Sequence, residues 1–109
     1  MDKLTRLPEI TRVLALDKIV HEPARLVILS ILHSVDAADF SYLMVQTGLT
    51  QGNLSTHLTK LETAGLVDIT KDFQGKRPRT ELRITKAGRD ALKDHGKSLN
   101  RLFRMLEII

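Results

Sequence analysis

Residues 49–67 read LTQGNLSTHLTKLETAGLV, and this stretch says more about the fold than any other part of the chain. Its leucines recur at the spacing of an α-helix, so one face is predicted to be buried: Leu54, Leu58 and Leu61. Thr50 is placed to cap the N-terminus of this helix, and Gly65 is placed to end it. Leu66 and Val67 then begin a predicted strand.

The exposed face of this predicted helix carries short polar side chains: Gln51, Asn53, Ser55, Thr56 and Thr59, with Lys60 behind them. Amide side chains can form paired hydrogen bonds with adenine, and hydroxyls can bond several bases or phosphate. The pattern therefore favours a helix that enters the major groove of DNA. The alternative is an ordinary solvated face, which predicts Glu, Lys and Arg there because these residues form helices more readily.

Within this helix we expect base contacts from residues 51–56 and phosphate contacts from Thr50, Thr59 and Lys60. The role of His57 stays open. Its position next to Leu58 suits a side chain at the edge of the core, and a protonated imidazole there could also bond a phosphate.

The residues before this stretch predict two more helices. Pro23 suits the first turn of a helix whose buried stripe is predicted to be Ile28, Ile31, Leu32 and Val35. Asp39 can cap a short helix over residues 40–47, and Gly48 supplies the tight turn that leads to Thr50. Two short helices joined in this way form a helix-turn-helix unit.

After Leu66 the apolar residues alternate with period two, which predicts two strands around a basic loop at residues 74–79. Six basic residues and one acidic residue lie between Gln74 and Arg89, in a chain whose net charge is +4. Three of these cations are predicted at the hairpin tip, where they can follow phosphates or enter a narrow minor groove: Lys76, Arg77 and Arg79. A basic loop that merely protects a sheet edge is the alternative.

The last helix, which Thr85 is placed to cap, carries an apolar seam at alternating steps of three and four residues. The seam could pack on its own domain. However, a small domain has little interior left to cover it, so a second subunit is the natural partner. The predicted dimer interface consists of Leu92, Leu99, Leu102, Phe103, Leu106 and Ile109.

At 109 residues, 42% of them hydrophobic, the chain is predicted to form a single domain, residues 1–109, of the α+β class with mainly α structure. It divides into an N-terminal helix at 8–22, a core at 23–85 and a C-terminal dimerisation helix at 86–109. No apolar run is long enough to cross a bilayer, and the chain begins without the hydrophobic core of an export signal. The sequence has no cysteine, and we expect a cytoplasmic protein.

Three pieces of the sequence, in this order, carry a family resemblance: LTQGNLSTHLTKLETAGLV, KRPRT at residues 76–80 and RITKAGRDAL at residues 83–92. The chain resembles the winged helix-turn-helix transcription regulators of the MarR/ArsR type over residues 23–95. The resemblance implies a two-stranded wing hairpin, dimerisation through the N- and C-terminal helices, and a wing arginine that enters the minor groove. Arg77 and Arg79 suit that last role equally.

The sequence thus predicts a sequence-specific regulator that binds double-stranded DNA, most simply a homodimeric repressor. The alternative is a winged-helix protein-interaction module that makes no direct contact with DNA. We predict no enzyme, because no phosphate-binding loop or nucleophile elbow is present. The four histidines are scattered, so no metal site and no cofactor are predicted, and a small-molecule effector stays open. RNA is a weaker candidate, since we expect most of the four aromatic residues to be buried: Phe40, Tyr42, Phe73 and Phe103.

Overall fold

The computed structural model describes residues 6–107, apart from the side chain of Val13. The described part is α+β with mainly helical structure, as predicted. Its helices are α1 (Pro8–Leu14), α2 (Pro23–His33), α3 (Phe40–Thr47), α4 (Gln51–Thr63) and α5 (Lys86–Glu107). Its strands are β1 (Ala38–Asp39), β2 (Val67–Gln74) and β3 (Arg77–Ile84).

The predicted caps of the helix-turn-helix unit are confirmed. The side chain of Asp39 accepts a hydrogen bond of 2.7 Å from the backbone N–H of Tyr42 and starts α3. Gly48 ends α3 with φ +70°, a left-handed conformation that glycine adopts without steric cost. Thr50 then caps α4 by accepting the N–H of Asn53 at 3.2 Å. Local side-chain chemistry therefore fixes where both helices of the unit begin.

The core forms where α4 packs on α2 and the sheet, and α3 adds Leu43 to it. The leucine stripe of α4 is buried as predicted, and it meets a set of fully buried side chains: Ile28, Leu29, Leu32, Leu43, Val67 and Leu82. The predicted stripe of α2 is only partly correct. Ile28 and Leu32 are buried, but Ile31 and Val35 are half-buried, because α2 ends at His33 and Leu29 turns inward instead.

The first helix is shorter than predicted, since α1 ends at Leu14 and not near residue 22. The side chain of Asp17 accepts the N–H of Ile19 at 2.8 Å, and its carbonyl accepts the N–H groups of Val20 and His21. An Asp side chain that bonds the backbone two residues on competes with a helix and favours a turn. This turn carries Val20 into the core, where only 1% of it is exposed.

The wing hairpin has a shorter loop than predicted. Strands β2 and β3 pair up to Gln74 opposite Arg77, so the turn consists of Gly75 and Lys76 alone. Pro78, which lies opposite Phe73 of β2, is tolerated within β3 because β1 pairs only with Glu81 and Leu82. The β1 side of β3 is therefore an unpaired edge at Pro78, where a proline is allowed. The structure also adds the short strand β1, which the sequence pattern did not predict and which pairs with β3.

The long helix α5 extends away from this core with α1 packed along it. In its described length only Gly88 and His95 are buried. The radius of gyration is 17.1 Å, whereas a compact domain of this length has a radius of about 13 Å. The molecule is therefore elongated, with extents of 66 × 24 × 24 Å. No helix between residues 6 and 107 is both long and apolar enough to cross a membrane.

Candidate nucleic-acid interface

A cleft of about 380 Å³ separates α4 from the inner face of the wing. One wall is formed by α4 through Gln51, Ser55 and Thr59. The other wall is formed by Lys71 of β2 and Thr80 of β3, while the floor is apolar. The hydroxyl- and amide-bearing side of the helix and a cation of the wing thus line the same cleft.

All the predicted contact residues of α4 and its cap are exposed: Thr50, Gln51, Asn53, Ser55, Thr56, Thr59 and Lys60. Two of their hydroxyls already serve the helix itself. Thr50 Oγ1 accepts from Asn53, and Thr56 Oγ1 donates to the carbonyl of Gly52 at 2.9 Å. The side chains of Gln51, Ser55 and Thr59 make no hydrogen bond within residues 6–107, so their donors and acceptors remain available to a ligand.

The predicted wing cations occupy three different positions. Lys76 belongs to the two-residue tip, and Arg77 follows it at the start of β3. Arg79 is not at the tip as expected, because it lies within β3 directly opposite Asp72. Its Nε and Nη2 each donate to the Asp72 carboxylate at 3.1 Å, and Nη2 also donates to Glu81 at 3.3 Å. These bonds lower the pKa of Asp72, and they raise the pKa of Arg79.

The basic segment therefore carries less available charge than its composition indicates. Arg83 donates to Glu81, and Lys86 pairs with Asp90 one helical turn later. Within the described part of the chain, Lys76 and Arg77 belong to no ion pair. A count of charges along the sequence could not reveal this, because the pairing depends on the strand register.

Lys71 lines the cleft, and the sequence prediction did not include it. It follows Val67 and Ile69 along β2 at steps of two residues, so it shares their face of the sheet, and that face is turned toward α4. The alternation was visible in the sequence. The sequence does not show that the hairpin packs against α4. This packing places the exposed lysine in one wall of the cleft.

Arg25 is another residue that the sequence prediction did not include. It is buried at the other side of α4 and is only 7% exposed. Its Nε donates to the carbonyl of Ile19 at 2.6 Å, and its Nη2 donates to the carbonyl of Lys18 at 3.2 Å. Its Nη1 lies 3.1 Å from Nδ1 of His57. His57 is therefore a half-buried residue that joins α4 to the start of α2.

The predicted dimer residues differ in their surroundings. Leu92 packs partly on the core of its own chain, whereas Leu99 and Leu102 are half-buried farther along α5. Phe103 and Leu106 are exposed, and Ile109 lies outside the described residues. Helix α1 packs along α5, and both helices carry exposed large hydrophobic residues: Ile10, Leu14, Phe103 and Leu106. We call this set of residues the α1–α5 face.

His95, which lies on α5 three residues after Leu92, is buried against its own chain with 3% exposed. Its Nε2 lies 3.4 Å from Nδ1 of His21, and its Nδ1 has no partner among the described residues. Burial lowers the pKa of His95, and the neighbouring His21 lowers it further. This contact fixes the segment before α2 against α5.

Two other features bear on chemistry at this surface. Among residues 6–107 no three histidine or carboxylate side chains are grouped so that they could hold a metal ion. The expectation that most aromatic residues are buried is wrong. Tyr42, Phe73 and Phe103 are exposed, and Phe40 is half-buried.

Comparisons with known proteins agree with this geometry. A family model described as a winged helix DNA-binding domain matches residues 24–103. An uncharacterized protein of Methanocaldococcus jannaschii is 36% identical over 90 residues, which are 83% of this chain and 98% of that protein. The structure of a transcriptional regulator homologue from Pyrococcus horikoshii superposes with a TM-score of 0.84 at 33% identity, and the match covers 92% of this chain and 98% of that one.

A more distant structure shares the fold alone. The PcaV transcriptional regulator of Streptomyces coelicolor superposes with a TM-score of 0.70 at 20% identity, over 90% of this chain and 68% of that one. The family model and the structure from Pyrococcus horikoshii confirm the resemblance found in the sequence. The cleft, the helix-turn-helix unit and these relatives together assign the chain to the winged helix DNA-binding domain family of transcription regulators.

Proposed function

We propose that this protein is a homodimeric, sequence-specific DNA-binding regulator that represses transcription by occupying a promoter. The cleft between α4 and the wing carries the proposal, because uncharged hydrogen-bonding groups and a lysine line it together. Bases are read through hydrogen bonds to their edges, and phosphates are held by cations. Both kinds of group are exposed along one side of the molecule.

The roles divide between helix and wing. Gln51, Asn53 and Ser55 would read base edges in the major groove, since their side chains are short, exposed and uncharged. Phosphates would be held by Thr50, Thr59, Lys60, Lys71, Lys76 and Arg77. Arg79 would stiffen the wing, because its donors are directed to Asp72 and Glu81. Of the two arginines that the resemblance left equal, we therefore favour Arg77 for the minor groove.

Dimerisation is supported by the amount of exposed surface. The accessible area of this 12.3 kDa chain is 7764 Å², compared with about 6,100 Å² for a typical monomeric protein of that mass. Half of the exposed large hydrophobic residues in the described part of the chain belong to the α1–α5 face, where Leu14 is 66% and Leu106 is 67% exposed. A second copy on this face would produce a two-fold dimer, which reads a palindromic operator with half-sites about one helical turn apart.

A protein-interaction module without DNA contact is less well supported. Such a module would use apolar anchors on the exposed face of α4. No large hydrophobic residue of α4 is exposed, and its described surface is polar throughout.

The test is selection of bound sequences from a random pool of DNA duplexes, followed by affinity measurements at several salt concentrations. We expect a palindromic motif and an affinity that falls steeply as salt rises. Lys71→Met should make the slope of log K against log salt shallower by about 0.9 and leave the selected motif unchanged. Lys93→Met, an exposed lysine on α5, is the control of equal charge and should leave the slope unchanged. Failure to select any motif, together with salt-independent binding, would overturn the proposal.

Repression is tested separately with a reporter. The selected motif is placed across a promoter, and transcription is measured with purified polymerase with and without the protein. We expect transcription to fall in proportion to site occupancy. A rise would identify an activator and would leave the DNA-binding assignment standing.

A further inference from the structure

His57 lies on the side of α4 opposite the wing, where the start of α2 packs against it. The guanidinium of Arg25 is held there by three acceptors, which are the carbonyls of Lys18 and Ile19 and the imidazole of His57. Because Arg25 is buried and bonded through three of its nitrogens, its position is fixed. The ring of His57 is fixed with it.

The position of the proton on His57 follows from this contact. A guanidinium only donates hydrogen bonds, so Nδ1, which is 3.1 Å from Nη1 of Arg25, must accept and carries no proton. The other charged group that faces the ring from the start of α2 is Glu22, whose Oε2 is 3.7 Å from Nδ1. That distance is too long for a hydrogen bond. An imidazole that accepts a hydrogen bond through Nδ1 carries its single proton on Nε2.

The Nε2–H group of His57 is available to a ligand. The side chain is 19% exposed. In the described part of the chain the only buried side-chain nitrogen or oxygen without a partner is Nδ1 of His95, so Nε2 of His57 reaches solvent. Asn53 and Lys60 are four residues before and three residues after His57, so they share this side of the helix. Both of these neighbours are exposed.

We propose that His57 binds a DNA phosphate as a neutral donor through Nε2–H, and that Arg25 is the positioning residue that fixes the proton there. The inference rests on the proposed function, since it adds a contact to the same interface. The phosphate would lie on the flank of α4 away from the wing, so that α4 is held to the backbone on both sides. A neutral donor contributes a hydrogen bond but no cation that releases counterions, which distinguishes it from Lys60 and Lys71.

The test compares three variants on the selected operator over a range of salt concentrations at pH 7.5. His57→Phe keeps a ring and removes the donor, so affinity should fall roughly tenfold at every salt concentration with an unchanged slope. His57→Gln restores a neutral N–H near the position of Nε2 and should recover most of the affinity. His33→Phe is the matched control. His33 Nδ1 accepts a hydrogen bond of 2.9 Å from Nη1 of Arg89, as His57 does from Arg25, but His33 lies at the end of α2. It should bind like the wild type.

A second measurement examines the proton itself in the intact protein. Nitrogen-detected spectra of the histidine rings at pH 7.5 should show a bare Nδ1 and a protonated Nε2 for His57, and the Nε2–H signal should shift when operator is added. A proton on Nδ1, an unchanged affinity for His57→Phe, or a slope shallower by about 0.9 in that variant would each overturn the inference. Wild-type protein that shows no salt-dependent binding would instead overturn the proposed function, and the phosphate contact with it.

Discussion

Arg79 and Asp72 face each other across the wing hairpin and are joined by two parallel hydrogen bonds of 3.1 Å. This pairing uses the planar fork of the guanidinium and fixes the side chain along the outer face of the sheet. Arg77, two residues earlier on the same strand, has no such partner within the described residues. Two arginines that the sequence cannot distinguish are thus separated by strand register.

The first prediction contrasts these two arginines. Arg77→Ala should make the slope of log K against log salt shallower by about 0.9, whereas Arg79→Ala should change it much less, because Asp72 already neutralises its charge. Salt titrations with operator DNA and with random duplex measure both slopes. Asp72→Asn is the converse variant and should steepen the slope, since it removes the charge of one of the two carboxylates that pair with Arg79. Equal effects of the two alanine variants would show that the pair opens on DNA.

The second prediction concerns the packing of α5 on the wing. A Cβ added at Gly88 would overlap the carbonyl oxygen of Leu66 and lie 2.8 Å from Cγ1 of Ile84. Gly88→Ala should therefore lower the free energy of unfolding by about 1–3 kcal/mol. Gly96 lies in the same helix with open space around it, and Gly96→Ala should raise this free energy by about 0.5–1 kcal/mol. Urea unfolding gives both values, and a harmless Gly88→Ala would disprove the close contact.

The third prediction is a loss of stability in acid. Burial and the adjacent His21 lower the pKa of His95 in the folded protein, although Asp94 opposes this. An unfolded histidine has a pKa of about 6.5, so below that pH the unfolded chain binds the proton more readily. The stability contributed by neutral His95 is thus present above about pH 6.5 and is lost as the pH falls below it. Urea unfolding at pH 7.5 and 5.5 measures the loss.

The matched variant for this measurement is His95→Leu, which removes the titrating ring and keeps an apolar side chain at the buried position. Its free energy of unfolding should fall less between the two pH values than that of the wild type. An equal fall in both proteins would assign the acid sensitivity to other groups.

The fourth prediction tests the α1–α5 face. Replacing both Phe103 and Leu106 by Glu places two carboxylates on this face, so the protein should sediment as a monomer. Affinity for an operator with two half-sites should fall about 100-fold or more, while binding to one half-site should stay the same. Val27→Glu is the control, because Val27 is an exposed apolar residue of α2 outside this face. A double variant that remains dimeric would place the interface elsewhere.

The parts of the fold that the sequence predicted correctly are those that local chemistry determines. Asp39, Gly48 and Thr50 act on backbone groups within three or four residues of themselves, so their roles can be read from the chain in order. The leucine stripe of α4 is equally local, since its burial follows from helical spacing alone.

The parts that failed depend on partners far away in sequence or on competition between two local structures. The segment after Leu14 has apolar residues that suit a helix, but the Asp17 turn wins because it buries Val20. The wing loop looked longer than it is because Gly75 and Pro78 both indicate a break, and only pairing with β2 shows that Pro78 belongs to a strand. Lys71 lines the cleft, and the buried Arg25 contacts His57, solely through tertiary packing.

Asp39 has two duties, since it pairs with Glu81 as the last residue of β1 and it also caps α3. A single residue therefore ties the helix-turn-helix unit to the central strand of the wing. The helix-turn-helix unit and the wing cannot move apart without breaking the hydrogen bonds of Asp39. If the proposed dimer binds half-sites at an unusual spacing, the adjustment would therefore come from bending of α5 and α1. The helix-turn-helix unit and the wing of each subunit would stay rigid.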